Sequence, residues 1–297
     1  MAHPSPNQPS HWGRPLPGAS ALDTADLRRS IQLIFSSASY RPPTLPAVAL
    51  ELMELAQKPS TEVKQVVALL ETDALLSARV LKVANSALYA SRSPLLTLRD
   101  AVMRLGIGNV RDLVLEAALH MRVFQSGGYG DAMERLRLHS MCTAHLVRLI
   151  CRSTSLDVDY AFLCGLFHDF GAIATLLALA DVPSRNAPPP LDKLWPALEP
   201  IHEETGVLVL KLWKMPEAIE QFTAQHHARG AGPMPPLVAA LCVAELLSEE
   251  LGFGLSGPWE PAPTRSLAEA TDTLRLNRAQ VMLLRQSAES LGEMLGG

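Results

Sequence analysis

LPAVALELMELAQKPSTEVKQVVALLETDALLSARVLKVANSALY, residues 45–89, decides the fold class. Apolar residues recur in it at the three-to-four spacing of a helix face. Pro46 opens a helix that carries Leu50, Met53 and Leu55, and Pro59 with Ser60 closes it. Val63, Val66, Val67 and Leu70 form a second stripe. Leu76, Val80, Val83 and Ala84 form a third, with Asn85 as a polar cap where the helix turns. Strand-like alternation is absent.

The same reading extends in both directions. Upstream, Leu27, Ile31 and Ile34 make a helical stripe, and residues 1–22, rich in Pro, Ser, His and Gly, read as a disordered leader. Downstream, Thr97 with Asp100 reads as a capping box and Gly106 as its stop; Asn109 with Asp112 reads as the opening of a longer helix through Phe124. These segments make one helical lobe, 23–125. Gly127, Gly128 and Gly130 mark a joint. A second lobe, 126–251, carries helices over roughly 131–152, 157–167, 172–180, 199–213, 216–226 and 237–250, interrupted by Pro188, Pro189 and Pro190. Trp213 and Pro216 read as packing and helix-start residues. A C-terminal segment, 252–297, begins with breakers and then offers Ser266 with Glu269 as a capping box. Its Leu274, Val281, Leu284 and Leu291 are suited to pack on either lobe or on a partner. The expected architecture is therefore all-α and two-lobed.

Composition agrees. Apolar residues reach 48% while aromatics are only 5%, which packs helices more readily than strands. A net charge of -4 argues against nucleic acid as a partner, and no recognition-helix signature or basic stripe opposes that reading. Cys142, Cys151, Cys164 and Cys242 form no CxxC pair and read as buried free thiols, in keeping with a cytoplasmic chain. No signal peptide is visible, and the longest apolar stretch, 172–180, is too short to span a membrane.

Chemistry concentrates in the histidines. Six of nine fall between 139 and 227. His139 lies on a long helix, His168-Asp169 and His226-His227 are adjacent pairs, and His202 stands alone. Imidazole and carboxylate suit manganese, iron or zinc, and helical bundles build metal sites from ligands on several helices. A carboxylate can bridge two ions. Gly165 and Gly171 flank the His168-Asp169 pair and permit a sharp turn or a close helix approach. His145, six residues after His139, points to the opposite side of its helix, and His120 has no partner pattern. Spacing alone leaves both a metal site and chance clustering open.

Several ordered motifs resemble the HDOD family: Leu45-Pro46, Asp73-Ala74 (Ala where that family has Pro), Asn85-Ser86 with Tyr89, the run LRDAVMRLG from Leu98, LHSMCTA around His139, AFLCGLFHDFGAI around His168, and the stretch from His202 to His227. The resemblance covers about residues 40–250. It implies an HD-like helical second lobe related to HD-GYP phosphodiesterases, a bacterial signal-transduction setting, and action through contact with signalling proteins. It implies that His139, His168, Asp169, His202, His226, His227 and Glu245 occupy metal-ligand positions for one or two divalent transition ions (Fe, Mn or Zn). Two departures imply impaired catalysis. Ala172 stands where active relatives carry a phosphate-contacting Lys, and Ala244-Glu245 stands where they carry Ala-Asp. The GYP loop is also absent after His227, where Ala228-Arg229-Gly230-Ala231 follows. The alternative is a metal-dependent phosphohydrolase acting on a cyclic dinucleotide or nucleotide.

Overall fold

Each apolar stripe becomes one buried helix face. A computed structural model describes residues 24–37, 40–86, 89, 95–124, 129–154, 156, 159–180, 191–227, 232–255 and 267–296, and every regular element among them is helical. The N-terminal part comprises α1 (Thr24–Ser36), α2 (Ala47–Ala56), α3 (Val63–Leu70), α4 (Ala74–Ala84), α5 (Leu98–Leu105) and α6 (Ile107–Leu119), the last running into a π turn at His120–Phe124. The second part comprises α7 (Gly130–Ser153), α8 (Ala161–Phe167), α9 (Phe170–Ala180), α10 (Leu191–Leu198), α11 (His202–Leu212), α12 (Glu217–Gln225) and α13 (Pro236–Glu250). Two further helices follow, α14 (Leu267–Thr273) and α15 (Arg278–Gly296). The expected leader, residues 126–128 of the joint, 188–190, 228–231 and Ser266 lie outside the described residues.

Several caps match their sequence signals. The Thr97 hydroxyl accepts the Asp100 amide at 3.1 Å, and Gly106 ends α5 with φ at 78°. Asn85 caps α4 and does more. Its amide donates to the carbonyls of Leu81 and Leu95 while its oxygen accepts the Leu95 amide, which clamps the returning chain. The expected Asn109–Asp112 helix start is wrong. Helix α6 begins at Ile107 behind Gly106, Asn109 lies in its first turn and donates to the Leu105 carbonyl, and Asp112 is inside it. Asp112 is buried because it pairs with Arg111 at 2.7 Å, while the same guanidinium donates to the Asp159 carbonyl and lies over the Tyr160 ring. One turn on, Glu116 takes Arg79 of α4 at 2.8 Å and faces His145 of α7 at 3.7 Å. A charged seam thus joins α6 to α4, α7 and the entry to α8.

Helix α10 escapes a periodicity reading because it is two turns long and contains Pro196. It packs on α1, and Trp213 after α11 donates to the Pro43 carbonyl at 2.9 Å, so α1 and the segment before α2 are tied to the second part. The apolar stretch is also longer than 172–180. Residues Ala161–Ala180 are long and apolar enough to cross a membrane, yet they are 89% buried within the fold and broken by the turn at His168-Asp169. They are core. The C-terminal leucines pack inward, with α14 against α13 and α15 against α7. Of the four cysteines, all free, three are buried and Cys242 is half-buried.

Two glycines set the helix spacing in the second part. A Cβ at Gly165 would lie 2.7 Å from the Ala144 Cα, so α8 rests directly on the backbone of α7. At Gly171 a Cβ would overlap the His202 carbonyl oxygen and come within 2.6 Å of the Gly206 amide. Helices α9 and α11 therefore touch backbone to backbone.

Gly171→Ala is expected to lower unfolding free energy by about 3 kcal/mol, the upper end for overpacking, because backbone atoms cannot step aside. Gly130→Ala, which meets nothing within 4 Å, should be neutral in the same urea titration. Asp112→Ala should cost about 3–5 kcal/mol by leaving Arg111 buried and unpaired, whereas a loss below about 1 kcal/mol would show the seam to be solvated.

Candidate metal centre

The candidate side chains come from five helices and meet in one place. His139 projects from the middle of α7, His168 and Asp169 form the turn from α8 to α9, and His202 is the first residue of α11. His226 and His227 form the turn after α12, and Glu245 lies on α13. His139, His168, Asp169, His202 and His226 are all buried; His227 is half-buried.

Asp169 stands at the centre with its two oxygens divided. Oδ2 lies 3.3 Å from His168 Nε2 and 3.7 Å from His139 Nε2. Oδ1 lies 3.4 Å from His202 Nε2 and 3.5 Å from His226 Nε2. Within the first group, the Nε2 atoms of His139 and His168 are 3.2 Å apart. Within the second, His202 Nε2 lies 3.2 Å from His226 Nε2 and 3.0 Å from His227 Nε2. Two sets of donors, His139–His168–Asp169 and Asp169–His202–His226–His227, are each close enough to hold one ion. Glu245 Oε1 is 3.7 Å from His168 Nε2, and its side chain is 40% exposed, which puts it at the rim.

The other ring nitrogens explain why these atoms face one another. His168 Nδ1 is 2.8 Å from the Gly165 carbonyl, His202 Nδ1 is 2.5 Å from the Glu199 carbonyl, His226 Nδ1 is 2.9 Å from the Thr223 carbonyl, and His139 Nδ1 is 3.2 Å from the Phe253 carbonyl. A carbonyl only accepts, so each of these four rings carries a proton on Nδ1 and, in its neutral form, turns an Nε2 lone pair to the centre. The lone pairs of His139 and His168, and those of His202 and His226, face each other at 3.2 Å and repel unless a proton or a metal ion lies between them. The donor set therefore fits divalent transition ions, with the carboxylate shared between two groups.

The electrostatics of the bare residues agree. Burial alone would lower His168, but Asp169 and Glu245 beside it hold it up at about 9. Burial and the His168 charge push His139 down to about 4. Burial would raise Asp169, yet His168, His226 and His202 keep its carboxyl well below the usual range. Partial burial and the Asp169 charge lift Glu245 to about 7 against the pull of His168.

The other histidines stay outside. His145 faces Glu116 and Arg148 in the charged seam, and His120 lies in the π turn. Ala172 is fully buried on α9, and the ion pairs of Asp169 and Glu245 among the described residues are all with histidines. Sequence reasoning missed the four carbonyls, since a main-chain acceptor leaves no residue-type signal.

Comparison with known proteins yields the same architecture. A candidate metal-dependent phosphohydrolase of Shewanella amazonensis superposes with a TM-score of 0.67 at 20% identity, covering 91% of this chain and 99% of that one. An HDOD domain protein of unknown function from Geobacter sulfurreducens gives 0.67 at 23% identity, covering 91% and 96%. A candidate signal transduction protein of Marinobacter aquaeolei gives 0.60 at 21% identity, covering 92% and 66%. An uncharacterized protein of Treponema pallidum is 26% identical over 218 residues, 69% of this chain, and the match spans only 41% of that relative's length. The HDOD domain model matches residues 43–229, a span that begins at the Pro43 anchor of Trp213 and runs just past His227. With the ordered motifs, the all-helical fold and this match in agreement, the chain belongs to the HDOD family.

Proposed function

We propose that this chain is a signal-transduction module that holds divalent transition ions in its HD-like pocket and acts through contact with other signalling proteins, with its hydrolytic chemistry impaired. The convergence of Nε2 lone pairs on the two oxygens of Asp169 carries the metal half of this reading. His139, His168 and Asp169 would hold one ion; Asp169, His202, His226 and His227 would hold a second; Glu245 would reach the first from the rim. Such ions supply Lewis acidity and a clamp for phosphate oxygens. The impairment rests on Ala172. Its methyl group, sealed in the core, offers no cation where active relatives present a Lys. Transition-state charge on a phosphoryl group would then lack one stabilising partner, a loss worth orders of magnitude in rate. Coupling to protein partners is supported by the HDOD membership and by a likeness in fold, not in sequence, to a candidate signal transduction protein.

Glu245 favours a second reading. A half-exposed carboxyl at the rim of the donor cluster, 3.7 Å from His168 Nε2, is placed to hold or pass a proton at a bound phosphate. On that reading the protein is a slow metal-dependent phosphohydrolase of a cyclic dinucleotide or nucleotide.

Untagged protein should carry about two equivalents of iron, manganese or zinc by elemental analysis, one for each donor group. Asp169→Ala should lose both, because the carboxylate serves both groups, whereas His227→Ala should keep about one. A folded wild-type chain free of metal would overturn the ligand assignment. The loaded protein should show no turnover of cyclic dinucleotides or nucleoside phosphates above a metal-free control. Turnover abolished by Glu245→Gln would replace the first reading with the second.

A further inference from the structure

Three of the four carbonyls that orient the histidines are local. His168 bonds to Gly165, His202 to Glu199 and His226 to Thr223, in each case three residues back along the chain. This works because all three histidines sit where a helix ends or begins, and the last carbonyls of a helix have no intrahelical partner. Gly165 and Thr223 lie in the last turns of α8 and α12, and Glu199 directly follows α10. His139 cannot use this device. It lies in the interior of α7, where neighbouring carbonyls are engaged in the helix ladder. Its acceptor, Phe253, is 114 residues away.

The presentation of that carbonyl is built into the end of α13. The Gly252 amide donates to Glu249 and the Phe253 amide to Ser248, both at 2.9 Å, and Gly252 has φ at 82°. This is a Schellman turn, which requires a left-handed residue after the helix. Gly254 then lies flat on the helix, since a Cβ there would come 2.9 Å from the Glu249 Cα. The turn lies against the end of α13, and its Phe253 oxygen is 3.2 Å from His139 Nδ1. Residues 252–254 lie beyond the 43–229 span that matches the family model.

The geometry points to Gly252–Phe253–Gly254 as the positioning element for the His139 half of the metal centre: the Phe253 carbonyl fixes the His139 tautomer and aims Nε2 at His168 and Asp169. This inference rests on the ligand assignment proposed above. Residues 252–254, directly after α13, are thus part of the centre.

Zinc affinity of the full chain, measured by competition with a chelating dye, tests this. Gly252→Val should bind one of the two zinc ions about 10- to 100-fold more weakly than the wild type and leave the other unchanged, the usual cost of a lost supporting hydrogen bond. Gly252→Asn, which tolerates the left-handed conformation, should restore wild-type affinity. A folded Gly252→Val chain with both affinities intact overturns the inference, as does a loss of melting temperature without any change in zinc affinity. A wild-type chain that takes up no zinc removes the ligand assignment instead, and this inference with it. Should Gly252→Val fail to fold, proton–nitrogen correlation spectra of the zinc-loaded wild type decide. His139 must carry its proton on Nδ1, and a proton on Nε2 overturns the proposal.

Discussion

A single buried carboxylate organises the second half of this molecule. Asp169 has one oxygen among His139 and His168 and the other among His202 and His226. An ionised carboxylate in a helical core would be expensive by itself. Here its cost is offset by imidazoles that arrive from α7, α8, α11 and α12. Those imidazoles are in turn held by main-chain carbonyls on their far sides. Charge, tautomer and helix position are therefore coupled: rotation of any one ring would break a hydrogen bond at one end and an electrostatic contact at the other.

Such a cluster demands helices that approach more closely than ordinary side chains permit. Gly165 brings α8 onto α7, which sets His168 beside His139, and Gly171 brings α9 onto α11, which sets Asp169 beside His202. The α6 seam adds orientation rather than proximity. Arg111, Asp112 and Glu116 engage Asp159, Arg79 and His145, so the face of α7 opposite His139 is engaged with the N-terminal helices. One side of α7 thus faces the metal donors and the other faces the N-terminal part of the chain.

The helix periodicity and the His and Asp positions were legible in the sequence because side-chain type carries them. Stripes such as Val66–Leu70 and Leu76–Val80 are buried as their spacing requires, and all six central donors meet. What escaped was whatever depends on backbone or on tertiary burial. Helix α10 contains Pro196, which argues against a helix locally, yet its packing on α1 overrides that preference. Asn109 and Asp112 have the residue types of a helix start but sit inside α6, because Gly106 already ends one helix and admits the next, and Arg111 neutralises the buried acid. The Phe253 carbonyl is invisible in sequence except through Gly252, whose meaning appears only once α13 is known to end there.

A full set of metal donors and an alanine at position 172 are compatible on physical grounds. Donors this far apart in sequence cannot be preorganised in an unfolded chain, so an ion held by them would favour the folded state and link the ends of α8 and α12 to α7 and α11. That stabilisation requires only the donors and their carbonyls. Stabilising a phosphoryl transition state requires in addition a cation at a specific distance, and a buried methyl group at Ala172 cannot provide it. A complete ring of imidazoles around a carboxylate is therefore physically independent of the apolar side chain at Ala172.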